Sequence, residues 1–207
     1  METIDLIFSI IILIMSVVIH EVSHGYAAYM LGDKTAEYEG RLTLNPLRHL
    51  DPMGSFIIPL VFIMSGAGFV IGWAKPVPYN PYNLRNQKWG EAWVAFAGPF
   101  SNIIIALIFG IVIRIALIKD VFSIPFLHFL TSVIIINIAL AVFNLVPIPP
   151  LDGSKIFFTF LPARLRGIRN FLERYGFVAV LIFVIFLWQY FVPLISILFT
   201  TLTGIRG

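Results

Sequence analysis

The chain contains no cysteine, which excludes disulfides, thiolate metal sites and cysteine nucleophiles together. Charge is nearly as scarce. Asp, Glu, Lys and Arg make up 12% of the 207 residues, about half of the roughly 25% usual in soluble domains. Histidine occurs at four positions, His20, His24, His49 and His128, so any metal must be held by imidazole and carboxylate groups. What fills the space is apolar. Hydrophobic residues reach 59% and mean hydropathy is +0.94, against about 45 to 50% hydrophobic in ordinary globular chains. This is the composition of an integral membrane protein. The net charge of +3 does not mark a nucleic-acid binder, because the basic residues lie in the connections between apolar runs, where membrane topology accounts for them.

Five apolar blocks stand out, at about 4–31, 53–73, 91–118, 121–145 and 175–203. At 1.5 Å rise per residue each is long enough to cross a hydrocarbon core of about 30 Å. The expected fold is an all-α membrane protein, a multi-span helical bundle forming one domain over 1–207, with its core at about 4–155 and a C-terminal span at about 175–203. Block two is broken by Pro59, Gly66, Gly68 and Gly72 and reads as a re-entrant or kinked element rather than a straight span. Pro193 interrupts the last block, which predicts one kinked helix or a span followed by a short interfacial helix.

Orientation follows from lysine and arginine. Lys34, Arg41 and Arg48 follow block one; Lys75, Arg85 and Lys88 follow block two; Lys155, Arg164, Arg166, Arg169 and Arg174 follow block four. All three connections prefer the cytoplasm. Straight alternation of five spans cannot place them there, whereas a block two that enters and returns on the cytoplasmic side can. The ends of blocks one and four then lie on one side, toward the cytoplasmic face of the plasma membrane.

Block one carries His20-Glu21-Val22-Ser23-His24. Residues four apart on a helix lie one above the other, so both imidazoles can reach one ion while Glu21 stands beside them as a base for a metal-activated water. A carboxylate in a membrane helix costs about 2.5 to 3.5 kcal/mol on insertion scales, and that cost argues against a chance match. Block four ends in Asn144-Leu145-Val146-Pro147-Ile148-Pro149-Pro150-Leu151-Asp152-Gly153. Three prolines stop the helix, and the chain turns before Asp152. Alone, Asp152 reads as the cap of a helix starting near Gly153. Set beside the two histidines it reads as a third ligand, with the fourth position left to water as in catalytic zinc sites.

The pairing of the membrane-embedded His20-Glu21-x-x-His24 with the distant Asn144-x-x-Pro147-x-Pro-Pro-Leu151-Asp152-Gly153 resembles the site-2 protease family of intramembrane zinc metalloproteases, in its compact prokaryotic form. Gly98-Pro99-Phe100-Ser101-Asn102, Leu42-Thr43-Leu44-Asn45-Pro46 and Gly72-Trp73-Ala74-Lys75-Pro76-Val77-Pro78 extend the likeness over most of residues 15 to 155. The resemblance implies one zinc ion bound by His20, His24 and Asp152, Glu21 as general base and acid, and transmembrane segments of other proteins as substrates. For the amide that meets the developing oxyanion, Asn144 is the first candidate and Asn102 and Asn137 are weaker, since Asn in a span more often bonds a neighbouring helix. Gly98 reads as a point of close helix packing, His49 as an interfacial histidine, and His128 lies at the far end of block four.

A helical substrate must unwind before it is cut. The segment from about Tyr38 to Asn45 reads as a short strand or β-hairpin after the first helix, whose edge would take the unwound peptide by strand addition. Two rival readings remain. One is a membrane zinc protease with a downstream glutamate ligand, disfavoured because no Glu follows block three before Glu173. The other is a non-catalytic membrane metal-binding or transport protein. Transport would spread polar residues over several spans, and here they gather at one site.

Overall fold

A computed structural model describes residues 3–65, 72–119 and 123–205. Among these, the regular elements are all helical: α1 (Thr3–Met30), α2 (Thr35–Tyr38), α3 (Ile58–Ser65), α4 (Gly90–Lys119), α5 (Ile124–Asn144), α6 (Asp152–Phe160), α7 (Arg166–Ile182) and α8 (Val192–Thr203). Four helical stretches are long and apolar enough to cross a membrane: Leu6–Met30, Gly90–Lys119, Ile124–Asn144 and Arg166–Tyr190. Ile7, Phe8, Ile10 and Ile11 on α1 and Ile104, Leu107, Ile108 and Ile111 on α4 face outward. Apolar side chains all round a helix suit lipid on one side and packed protein on the other.

α1, α4 and α5 pack together, and the core is densest where Ala106 and Ile113 of α4 meet Leu130, Ile134 and Ile138 of α5. Phe199 and Leu202 of α8 close over the same cluster. Gly110 lets α8 approach there, since a side chain at that position would press on the Leu202 backbone.

Block two does not form a fifth spanning helix among the described residues. Pro52–Ile57 makes a wide π-helical turn and α3 is only eight residues long. The Trp73 amide donates to the Gly54 carbonyl at 3.1 Å, and the Ser55 hydroxyl donates to the Trp73 carbonyl at 3.0 Å. The chain is therefore back beside residue 54 by residue 73, as expected of a segment that enters and returns; residues 66–71 lie outside the described part.

The last block starts earlier than its hydropathy suggests. Arg166, Arg169, Glu173 and Arg174 give the first turns of α7 a polar face that conceals the helix from a hydropathy reading, and Arg169 pairs with Glu173 one turn on at 2.8 Å. A π turn at Phe183–Leu187 and a 3-10 turn at Trp188–Tyr190 precede α8. Phe183 and Trp188 pack on Phe143 at the end of α5, with Phe191 against both of them, and α8 then runs into the core. Of the two sequence alternatives, the path is that of a span, Arg166–Tyr190, followed by a separate short helix, which packs on α4 and α5.

The expected β-hairpin at 38–45 is absent. Thr35–Tyr38 is a single helical turn, Gly40 takes a left-handed φ of 61°, and Asn45 caps a 3-10 turn at Pro46–Arg48 through the Leu47 amide. The facing segment contains Pro76 and Pro78, which have no amide hydrogen to give a ladder. Side chains make the link instead: the buried Arg41 guanidinium donates to the carbonyls of Lys75 (2.9 Å) and Pro76 (3.3 Å), and His49 Nε2 donates to the Thr43 carbonyl at 2.8 Å.

Candidate active site

The apolar run that makes α1 also puts His20 and His24 on its buried face, where they meet α4. The turn after α5 brings Asp152 to the first position of α6. Asp152 Oδ2 lies 3.0 Å from His20 Nε2 and 3.1 Å from His24 Nε2, and the two Nε2 atoms are 3.1 Å apart. All three residues are buried. Asp152 therefore points into the cluster at the start of its helix, and the N-cap position belongs to Leu151.

The outer nitrogens of both rings are engaged. His24 Nδ1 lies 2.7 Å from the Val94 carbonyl, and His20 Nδ1 lies 2.6 Å from Asn102 Oδ1. Both partners are acceptors, so both Nδ1 atoms carry hydrogen and both neutral rings turn an Nε2 lone pair inward. Three lone-pair atoms packed this closely repel one another unless positive charge sits among them. The donor set, two imidazoles and one carboxylate with outer nitrogens already tied, fits zinc with bonds of about 2 Å and one position left open. His20, His24 and Asp152 form the one such group of metal-type side chains among the described residues.

Glu21 projects beside the cluster, and its Oε2 accepts a hydrogen bond from the Val77 amide at 2.9 Å. Asn144 Nδ2 donates to the Leu140 carbonyl, one turn back on α5, at 3.0 Å. Asn102 and Asn137 bond neighbouring helices as expected, with Asn102 additionally on His20. His49 is buried in the loop, bonded to Thr43, and His128 is exposed on α5. Gly98 is more than a packing point. A Cβ there would stand 2.4 Å from His24 Nε2 and 2.6 Å from His20 Nε2.

Sequence reasoning missed Ser16, Val77 and Val94. Ser16 had a signal, since 16, 20 and 24 fall on one helix face; Val77 and Val94 act through backbone atoms and had none. A cavity of about 680 Å³ opens between Trp73, Pro76, Pro149, Ser154, Lys155 and Phe177, with Ser154 of its wall two residues past Asp152. The three basic connections meet at this end of the bundle, where Arg85 N bonds the Leu31 carbonyl and the Lys155 ammonium sits 5.2 Å over the Tyr79 ring.

A helical membrane protein with two imidazoles and a carboxylate converging beside a glutamate has the make-up of a membrane metalloprotease. The model of Peptidase family M50 matches residues 8–121 and 110–188, and the chain belongs to that family. It is 39% identical over 180 residues to "Putative zinc metalloprotease YwhC" of Bacillus subtilis, covering 84% of this chain and 78% of that protein. It is 31% identical over 144 residues to "Putative zinc metalloprotease Rip2" of Mycobacterium tuberculosis, covering 68% of this chain and 52% of Rip2. With "Putative zinc metalloprotease MJ0611" of Methanocaldococcus jannaschii it shares 32% over 161 residues, 72% of each chain. The chain thus spans about half the length of Rip2 and most of YwhC. No solved structure matches it.

Proposed function

We propose that this chain is a zinc-dependent intramembrane endopeptidase, a single integral membrane protease domain that hydrolyses peptide bonds within or near transmembrane segments of other proteins. The observation that carries the reading is the convergence of His20 Nε2, His24 Nε2 and Asp152 Oδ2 beside Glu21. His20, His24 and Asp152 hold the metal. Zinc bound there supplies Lewis acidity that makes hydroxide available near about pH 7 and polarises the scissile carbonyl.

The protein's own groups do the rest. Glu21 takes the proton of the attacking water and hands it to the leaving amine. With Oε2 engaged by Val77, Oε1 is the atom free to carry that proton. Asn144 has one amide hydrogen on Leu140 and offers the other to the carbonyl oxygen as charge builds there. The cavity beside Pro76 and Pro149 has room for an unwound peptide. The basic connections gathered at this end support a site toward the cytoplasmic face of the plasma membrane.

The test is cleavage of a single-span substrate by purified protein in detergent, with wild type, Glu21→Gln and Asp152→Ala compared and zinc measured in each. The reading expects wild type to cut, Glu21→Gln to keep zinc and be inert, and Asp152→Ala to lose zinc. A wild type that binds zinc and cuts no substrate would leave the non-catalytic metal-binding or transport reading in its place.

A further inference from the structure

We infer that Asn137 and Asn102 form a relay across three helices that locks His20 in the tautomer whose Nε2 is a free lone pair, making both asparagines positioning residues for the metal. The inference rests on the metal-site reading above. It starts at the Val133 carbonyl, an atom that can only accept. Asn137 Nδ2 donates to it at 2.8 Å and to the Ser16 hydroxyl at 2.9 Å. Both amide hydrogens of Asn137 are thereby used, and its Oδ1 faces Asn102.

Asn102 must answer with its own amino group, and its Nδ2 lies 2.8 Å from Asn137 Oδ1 and 3.4 Å from the Ser16 carbonyl. Only Oδ1 of Asn102 is left for His20 Nδ1, at 2.6 Å. Turning either amide over would set oxygen against oxygen, at Val133 or between the asparagines. Ser16, Asn102 and Asn137 are 4%, 0% and 0% exposed, so bulk solvent does not relieve such a clash. The backbone of α5 thus dictates, through two side chains, which nitrogen of an α1 histidine is available. His24 reaches the same state in one step, through the Val94 carbonyl.

The experiment uses zinc-loaded protein labelled with 15N-histidine; a chain with four histidines keeps the ring signals assignable. Wild type is expected to show His20 protonated at Nδ1 and metal-bound at Nε2. Zinc affinity by chelator competition is expected to fall about 10- to 100-fold in Asn102→Leu, the usual cost of losing a partner behind a metal ligand. Asn137→Leu, which keeps Asn102, is expected to lose affinity by a smaller factor and to show a mixed His20 tautomer, a signature that a merely structural role would not produce. The wild-type spectrum decides even where a variant fails to fold: His20 bound through Nδ1, or mixed, overturns the relay. So do folded Asn102→Leu and Asn137→Leu variants that hold zinc as tightly as wild type. A wild type with the expected His20 state that cuts no substrate overturns the protease reading and leaves the relay standing, whereas a wild type that takes up no zinc overturns both.

Discussion

The Val77 amide donates to Glu21 Oε2 at 2.9 Å, so the backbone of the connection before α4 holds the carboxylate next to the two site histidines. Val77 is buried, with its side chain in the crease left by Gly25 of α1. Trp73 and Lys75 amides anchor the same segment to the Gly54 and His49 carbonyls. Val77→Pro removes the amide hydrogen, and Val77→Ala keeps it. A hydrogen bond to a charged group is worth about 1.5 to 3 kcal/mol, so turnover should fall about ten- to hundredfold in Val77→Pro. Zinc content should not change, and Val77→Ala should cut far better than Val77→Pro. Equal turnover of the two variants would show that the amide does not position Glu21.

Asp33 does for the loops what Val77 does for Glu21. Fully buried just beyond α1, its carboxylate accepts from the Thr35 hydroxyl (2.7 Å), Asn83 Nδ2 (2.8 Å) and the Asn80 amide (2.8 Å). Burial opposes its ionisation, but hydrogen bonds from Thr35, Asn83 and Asn80 outweigh that and hold its pKa below the ordinary 3.8. A lowered folded-state pKa adds stability that is fully present above 3.8 and disappears as pH falls through the folded value. Thermal melts of wild type and Asp33→Asn should therefore differ at neutral pH and converge in strong acid. A constant gap across that range would contradict this role.

Arg114 lies inside a spanning helix, and its guanidinium donates to the carbonyls of Leu202 (2.7 Å) and Thr201. These carbonyls close α8, where helix geometry leaves the last acceptors without amide partners. In a lipid setting such acceptors are costly to leave bare. Arg114→Met should lower the stability of the detergent-solubilised protein by about 1 to 3 kcal/mol. Zinc content and cleavage below the melting range should stay at wild-type levels. A loss of zinc at unchanged stability would move Arg114 from a capping role to one coupled to the site.

Several parts of this arrangement were readable from residue order. Two histidines four apart on an apolar helix must share a face, and three prolines before Asp152 force a turn. The loops were less legible, because their conformation depends on distant partners. Tyr38–Asn45 has strand-forming residues, yet its Arg41 side chain is drawn to the distant carbonyls of Lys75 and Pro76. The start of α7 was hidden by its own arginines. Asn102 was read as an interhelical hydrogen-bonding residue, and it is one. That its acceptor lands on His20 depends on how α1, α4 and α5 stack, which no single segment encodes.

Gly98 separates stability from metal binding, because a methyl group there acts on the two in opposite directions. Alanine in a helix interior is favoured over glycine by about 1 kcal/mol, and α4 alone would gain from Gly98→Ala. The new Cβ would stand 2.4 Å from His24 Nε2 and 2.6 Å from His20 Nε2, on the atoms proposed to bind zinc. The rings cannot simply retreat, since His24 is tied to the Val94 carbonyl and His20 to Asn102 through their far nitrogens. Gly98→Ala should fold, lose zinc and lose cleavage together, whereas Gly110→Ala, on the α8 side of the same helix, should keep its zinc. Zinc analysis of the folded variants checks this, and a zinc-replete Gly98→Ala would mean that α1 and α4 can separate without disturbing the site.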